Sequence, residues 1–263
     1  MYETLEILRD GGVATVWMNR PEVHNAFNAQ LIADLTAACR ALDADGTVRV
    51  VVLAGRGKSF SAGADLNWMK AAGAASVEEN LADARRLAAM LRTLAEMTKP
   101  TVARVHGAAL GGGMGLAAAC DICVAGERAV FATSEVRFGI IPSAISPYVI
   151  RAIGARQAGR YFQTAERISA ARALDLGLAH EVAADEALDV RVADLVAALL
   201  QGGPQAQAAA KDLIRAVANR PVSDEVVEDT ARRIATLRAT AEAREGLDAF
   251  LAKRPAAWVP AQD

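Results

Sequence analysis

Two glycine-bearing loops hold the residues best placed for chemistry in this 263-residue chain. In LGGGMGLAAACDI, residues 110–122, three glycines stand in a row where a helical pattern begins, and a fourth, Gly115, falls inside it. A glycine within a helix costs about 1 kcal/mol relative to alanine, so this spelling is locally unfavourable. A helix N-terminus led by glycines offers unpaired N–H groups and positive partial charge to an oxygen. That oxygen could belong to a phosphate, a dinucleotide pyrophosphate, or a carbonyl becoming an oxyanion. A Walker loop fails on spacing, because GKS at 57–59 would need its leading glycine at Val52. A Rossmann variant can be written over Gly113, Gly115 and Ala118, with Glu135 further on, but the preceding strand ends too early for the tight first turn. Close backbone packing is the structural alternative. The second loop, SFSAGADLNWM at 59–69, follows another strand. Two such loops at the ends of adjacent parallel strands can each aim one N–H at a single carbonyl oxygen. Each preorganised donor is typically worth about 3–4 kcal/mol to an enolate or tetrahedral oxyanion.

Other reactive residue types read as structural. Cys39, Cys120 and Cys123 suit buried thiols, since the lone C-x-x-C lacks a partner motif. His24, His106 and His180 show no metal-ligand spacing. A net charge of −2, with 23% charged residues, gives no basic footprint for nucleic acid. Residues 107–126 have membrane-spanning length, yet Asp121 and six glycines there argue for a soluble, packed element. MYETLEILRD lacks the regions of a signal peptide, so a cytoplasmic location is expected.

The elements that must position these loops follow from periodicity. TLEILRD and VATVWMN read as strands around Gly11-Gly12. Asn28 caps a helix carrying Leu31, Ile32, Leu35, Cys39 and Leu42 on one face. VRVVVLAG is a buried strand. The capping box Ser76-x-x-Glu79 opens a long helix that closes before Pro100. TVARVHG, the glycine-led helix and DICVAG follow. This alternation predicts an α/β fold with much parallel pairing over residues 1–200. From QGGPQ onward, 201–263, only helical patterns remain, at about 204–219, 223–240 and 241–253. Their apolar faces suit burial against a neighbouring subunit.

The stretches NRPEVHNAFN, FSAGADL, HGAALGGGMGLAAACDICVA, FATSEVRFGIIP and EGLDAFLAKRP together resemble the successive signatures of the crotonase superfamily of enoyl-CoA hydratases and isomerases. GADLNWM and SEVRFGIIPSAISPYVI are most similar to its bacterial methylglutaconyl-CoA hydratase branch. The resemblance implies a spiral of ββα units and a C-terminal helical trimerisation region, giving a homo-trimer or hexamer. It implies an oxyanion hole from the backbone N–H groups of Ala64 and Gly112. Ala62, Asp65 and Leu66 would line the CoA channel, and Lys253 would reach the CoA 3′-phosphate, often across a subunit interface. CoA being part of the acyl-CoA thioester substrate, no separate cofactor and no metal are expected, nor a nucleic-acid or membrane partner.

In the two-glutamate hydratases of that family one glutamate follows the glycine triplet and a second sits in the next loop. This chain has Gly115 at the first place and Glu135 at the second. One base suffices to move a proton between Cα and Cγ, as an isomerase does. A hydratase must also hold a water, which one glutamate can do if backbone or substrate helps. Gly115 points towards isomerase, the resemblance towards hydratase, and hydration is the expectation. An inactive CoA-binding module is the non-enzymatic alternative. Trp68, Met69 and Phe138 are candidate pocket residues, Arg137 could meet a distal carboxylate, and bare space at Gly115 would admit a bulkier acyl group.

Overall fold

The computed structural model describes residues 2–260. The chain opens with an antiparallel pair, β1 (Leu5–Asp10) and β2 (Val13–Met18). Helix α1 (Ala29–Ala44) follows, with the Asn28 side chain accepting the Leu31 N–H at 2.9 Å. Next come β3 (Val50–Gly55), α2 (Leu66–Ala74) and α3 (Val77–Ala95), the last opened by the full Ser76–Glu79 capping box. Strands β4 (Thr101–Val105) and β5 (Ala108–Leu110) lead into α4 (Gly112–Ala119). Strands β6 (Ile122–Gly126) and β7 (Val130–Ala132) lead through a 3-10 turn, Glu135–Phe138, into α5 (Ser146–Thr164). The rest of the α/β region is β8 (Ile168–Ser169), α6 (Ala170–Leu176), β9 (Glu181–Ala183) and α7 (Leu188–Leu200).

The strands sort into two sheets, one in the order β1-β2-β3-β4-β6-β9 and one in the order β5-β7-β8. From β2 to β9 every pairing in the large sheet is parallel. The chain thus repeats one motif: a strand in the large sheet, a short strand in the small one, then a helix. That is the expected spiral of ββα units. Even the segment after β3 obeys it, since Ser61 forms a parallel bridge with Ala109 of β5.

Both faces of the large sheet are covered, which is why β3 is apolar and buried at all six positions. One face packs on α1, α3, α4 and α5 through residues such as Leu31, Leu35, Leu91, Met114 and Val149. The other is a valine layer (Val50, Val52, Val102, Val124) closed by Leu188, Val192 and Val196 of α7.

Beyond Gly203 the described residues form helices alone: α8 (Pro204–Val217), α9 (Asp224–Arg238) and α10 (Ala241–Leu251). Lys211 on α8 anchors this region, bonding the Lys99 carbonyl at 2.8 Å and Asp121 at 2.6 Å. Asp121 also receives the Thr101 N–H and hydroxyl, so this acid serves architecture. Val227, Ile234, Leu247, Phe250 and Leu251 stand exposed on α9 and α10. No helix among the described residues is long and apolar enough to cross a membrane, and the apolar stretch 107–126 is divided into β5, α4 and β6.

Candidate active site

The two glycine loops lie backbone against backbone. After β3 the chain turns at Gly57 and runs alongside the start of β5: Phe60 N–H donates to the His106 carbonyl and Ser61 N–H to that of Ala108, both at 2.9 Å. Leu110 N–H returns a bond to the Ser61 carbonyl. Phe27 then pairs with the next turn, donating to the Gly63 carbonyl and accepting from Asp65 N–H. Ala64, between them, has its N–H turned away from Phe27. No hydrogen bond among the described residues uses the N–H of Ala64, or that of Gly112 at the first position of α4.

The glycines make this contact possible. Gly111 has φ +49° and ψ −116°, a backbone region closed to side chains, and donates its N–H to Ala132. A β-carbon on Gly112 would lie 2.6 Å from the Phe27 ring, and one on Gly113 would lie 2.5 Å from the Ser61 carbonyl oxygen. The bareness at Gly112 therefore serves packing as well as a free N–H.

Glu135 reaches the same point from β7. Parallel pairing sets Leu110 opposite Ala132, so the chain three residues beyond Ala132 lands beside the glycine run. Glu135 Oε1 stands 3.1 Å from where a β-carbon on Gly111 would be, and the Gly63 Cα is 3.9 Å from that position. Oε2 is buried and has no hydrogen-bond partner. Burial pushes the carboxyl above the usual glutamate range, and only the residue's own backbone N–H works against this. A partly desolvated carboxylate with one unpartnered oxygen, beside the glycines that precede Ala64 and Gly112, can accept and return a proton.

Gly115 differs from expectation. Its N–H bonds the Gly111 carbonyl, one helical turn below the loop. A β-carbon there would lie 2.2 Å from Ile145 Cγ2 and 2.8 Å from Ile145 Cβ. The space is filled by a buried isoleucine from the start of α5, and leaves no extra room for an acyl group.

The other expected site residues separate. Ala62 is half-buried beside the loop, its N–H on the His24 carbonyl. Asp65 is committed elsewhere: Oδ1 caps α2 through Asn67 and Trp68, Oδ2 pairs with Arg20 at 3.0 Å, and only a structural role is left to its carboxylate. Leu66 is 81% exposed. Lys253 lies exposed on the turn after α10, with φ +55°. The chain five residues beyond it is tied by an Arg49 N–H bond to the Trp258 carbonyl, at the end of β3 opposite the loops, and no hydrogen bond or ion pair among the described residues joins the Lys253 side chain to the loops. Phe138 is exposed, Trp68 packs on the core, and Arg137 donates to the Ala165 carbonyl.

One residue the sequence reading did not single out organises the site. Asn25, fully buried with φ +55°, accepts from Arg20 N–H and donates to the Arg56 and Ser59 carbonyls. Its own carbonyl accepts the Ser61 hydroxyl. It stitches NRPEVHN to the loop bearing Ala64; an asparagine in a turn-rich run was the available signal. The three thiols are buried, with Cys39 and Cys123 pushed up to about 12 by burial, far from a reactive thiolate.

The chain as a whole has counterparts among known proteins. The enoyl-CoA hydratase/isomerase family profile matches residues 9–260. An enoyl-CoA hydratase from Shewanella pealeana is 40% identical with a TM-score of 0.95, over 97% of this chain and 96% of that one. An enoyl-CoA hydratase/isomerase from Marinobacter aquaeolei is 31% identical with a TM-score of 0.92, over 98% of this chain and 100% of that one. The enoyl-CoA hydratase AFT6-1 of Alternaria alternata is 36% identical over 219 residues, 81% of this chain and 70% of the relative. With a crotonase fold throughout and likeness along nearly its whole length, this chain belongs to the enoyl-CoA hydratase/isomerase family and is an enzyme of it.

Proposed function

We propose that the protein adds water across the α,β double bond of an enoyl-CoA thioester, with Glu135 as its single acid–base group. The observation that supports this best is the buried, unpartnered Oε2 of Glu135 beside the glycine run. The free N–H groups of Ala64 and Gly112 hold the thioester oxygen, drawing electron density from the double bond. Glu135 takes a proton from water as its oxygen bonds to Cβ, the enolate forms in the hole, and Glu135 returns the proton to Cα. The net change is one water added. Glu135→Gln keeps the shape and removes the base, so turnover of crotonyl-CoA falls roughly 10²–10⁴-fold with binding little changed. Near-wild-type turnover would refute the assignment.

One observation favours a second reading. Ile145 fills the place beside Gly115, so no other carboxylate stands there to hold water. Glu135 alone would then shuttle a proton between Cα and Cγ, as in a Δ3,Δ2-enoyl-CoA isomerase. Turnover in heavy water decides: hydration gives a β-hydroxyl with deuterium at Cα, isomerisation a shifted double bond and no hydroxyl. For the acyl group we propose a branched or carboxylated one such as methylglutaconyl, on the spelling of GADLNWM and SEVRFGIIPSAISPYVI; volume at Gly115 gives it no support. A panel of enoyl-CoA thioesters tests this.

Ala62 and Leu66 are proposed to border the CoA channel, with Asp65 shaping it as the cap of α2. The exposed apolar faces of α9 and α10 support a trimer or hexamer. In such an assembly Lys253 would serve the 3′-phosphate at a neighbour's site, since the chain five residues beyond it is tied to the far end of β3.

A further inference from the structure

At the root of both loops lies a half-buried histidine that the chemistry above leaves unused. The His106 ring sits between two groups of fixed hydrogen-bonding sense: Arg104 Nη1 is 3.1 Å from Nδ1, and the Gly57 carbonyl oxygen is 2.9 Å from Nε2. A guanidinium only donates and a carbonyl only accepts, so Nδ1 carries the lone pair and Nε2 the proton. Arg104 is itself held, by its ion pair with Asp189 on α7 and by the Trp17 ring, whose centroid is 5.7 Å away. Around this clamp the backbone is tight. Phe60 N–H bonds the His106 carbonyl, and a β-carbon on Gly107 would lie 2.1 Å from the Lys58 carbonyl oxygen.

We propose that neutral His106 is a positioning residue: its Nε2–H holds the Gly57 carbonyl and so fixes the loop carrying the Ala64 N–H against the glycine run. The functional part of this rests on the reading of Ala64 as an oxyanion donor. The charged groups facing the ring are Arg104 from β4, Asp189 from α7, and Asp185 from the turn before α7, the last already paired with Arg128. Burial, the largest effect, and Arg104 disfavour the imidazolium, while the Gly57 carbonyl and the two aspartates favour it; the outcome lies below the ordinary histidine range. The clamp therefore holds at neutral pH. Protonation sets an N–H on Nδ1 against Arg104 and forces one of the two away.

Glutamine can copy the neutral ring, its amide N–H on Gly57 and its oxygen towards Arg104, without titrating. The test measures hydrogen exchange over residues 57–65 and crotonyl-CoA kinetics in His106→Leu and His106→Gln. His106→Leu is expected to exchange faster and lose about tenfold or more in kcat with KM little changed, because a transition-state contact is loosened. His106→Gln restores protection and most of kcat, and loses the His106 contribution to the acid-side fall in rate. Unchanged exchange in His106→Leu overturns the clamp, as does a His106→Gln that exchanges equally fast. Faster exchange with unaltered kcat leaves the clamp standing and overturns the oxyanion role of Ala64 instead. If His106→Leu does not fold, nitrogen NMR of the wild-type ring reads the tautomer, and a proton on Nδ1 at neutral pH overturns the proposal.

Discussion

Replacing Gly115 by alanine sets two effects of known size against each other. In an open helix the change would stabilise by about 1 kcal/mol. Here the new methyl would lie 2.2 Å from Ile145 Cγ2, where carbon atoms prefer about 3.5–4.0 Å. A shift of more than 1 Å is needed, and Ile145 is β-branched, 3% exposed and at the start of a helix, so rotation gives little relief. Overpacking of this kind costs about 1–3 kcal/mol, and the upper end applies. The net loss is then about 2 kcal/mol, or roughly 4–8 °C in Tm for a chain of this length. Ile145→Ala alone should cost about 2–5 kcal/mol through the cavity it leaves. In the double variant the methyl added at position 115 enters that cavity, so the combined loss falls short of the sum by about 2–3 kcal/mol. Scanning calorimetry of all four proteins at one fixed concentration measures the cycle, with concentration held because assembly shifts Tm. Additivity within about 0.5 kcal/mol, or a Gly115→Ala protein more stable than wild type, would show that Ile145 does not fill the site. For the same reason Gly115→Glu should be tolerated only together with Ile145→Ala.

Glu135→Gln should raise Tm at pH 8 and change it little at pH 4. The folded carboxyl is raised, so its favourable contribution exists below the unfolded value and is lost as pH rises through the folded one; equal shifts at both pH values would contradict the burial argument. Lys253→Ala should abolish the distinction between CoA and 3′-dephospho-CoA in calorimetry, whereas a preserved distinction would remove Lys253 from the phosphate site. Light scattering at micromolar concentration should give a trimer or hexamer, and a stable monomer would leave the exposed faces of α9 and α10 unexplained.

What the sequence revealed depended on signal length. Helix α1 was legible from its cap and five core positions, α3 from its capping box, and β3 from an unbroken apolar run. The three C-terminal helices fall within a few residues of their expected ranges. Strands β5, β7, β8 and β9 have two or three residues each, too few for an alternation to register, and α2 lay hidden in what read as a glycine loop. At the site, the glycine run was legible in its spelling, and Glu135 was singled out only through the family resemblance. The occupant of the space at Gly115 was not, because Ile145 lies thirty residues downstream and meets it only through the packing of α4 on α5. Asp65 was expected in the channel through the resemblance, which records position in a motif, while its bonds to Arg20 and the start of α2 are seen only in the fold.

The small sheet explains why the two free N–H groups and the Glu135 carboxylate lie together. Gly111 N–H bonds the Ala132 carbonyl, joining the residue before one free donor to the strand that delivers Glu135. Ser61 bridges β5 on its other side and leads to the second donor, Ala64. Both N–H groups and the carboxylate therefore hang from neighbouring strands within a few residues of each pairing, so their geometry varies little. On the proposed reading, that rigidity would matter most for the step that hydration and isomerisation share, proton transfer at the carbon next to the thioester, because an enolate is stabilised only while donors and base keep one spacing. The two reactions differ at the far carbon: hydration bonds water to Cβ before the proton reaches Cα, whereas isomerisation moves the Cα proton on to Cγ. The buried Ile145 beside Gly115 offers no group to hold that water. On the proposed reading the scaffold serves the proton transfer common to both, and what separates the two outcomes is whether a water is held at Cβ.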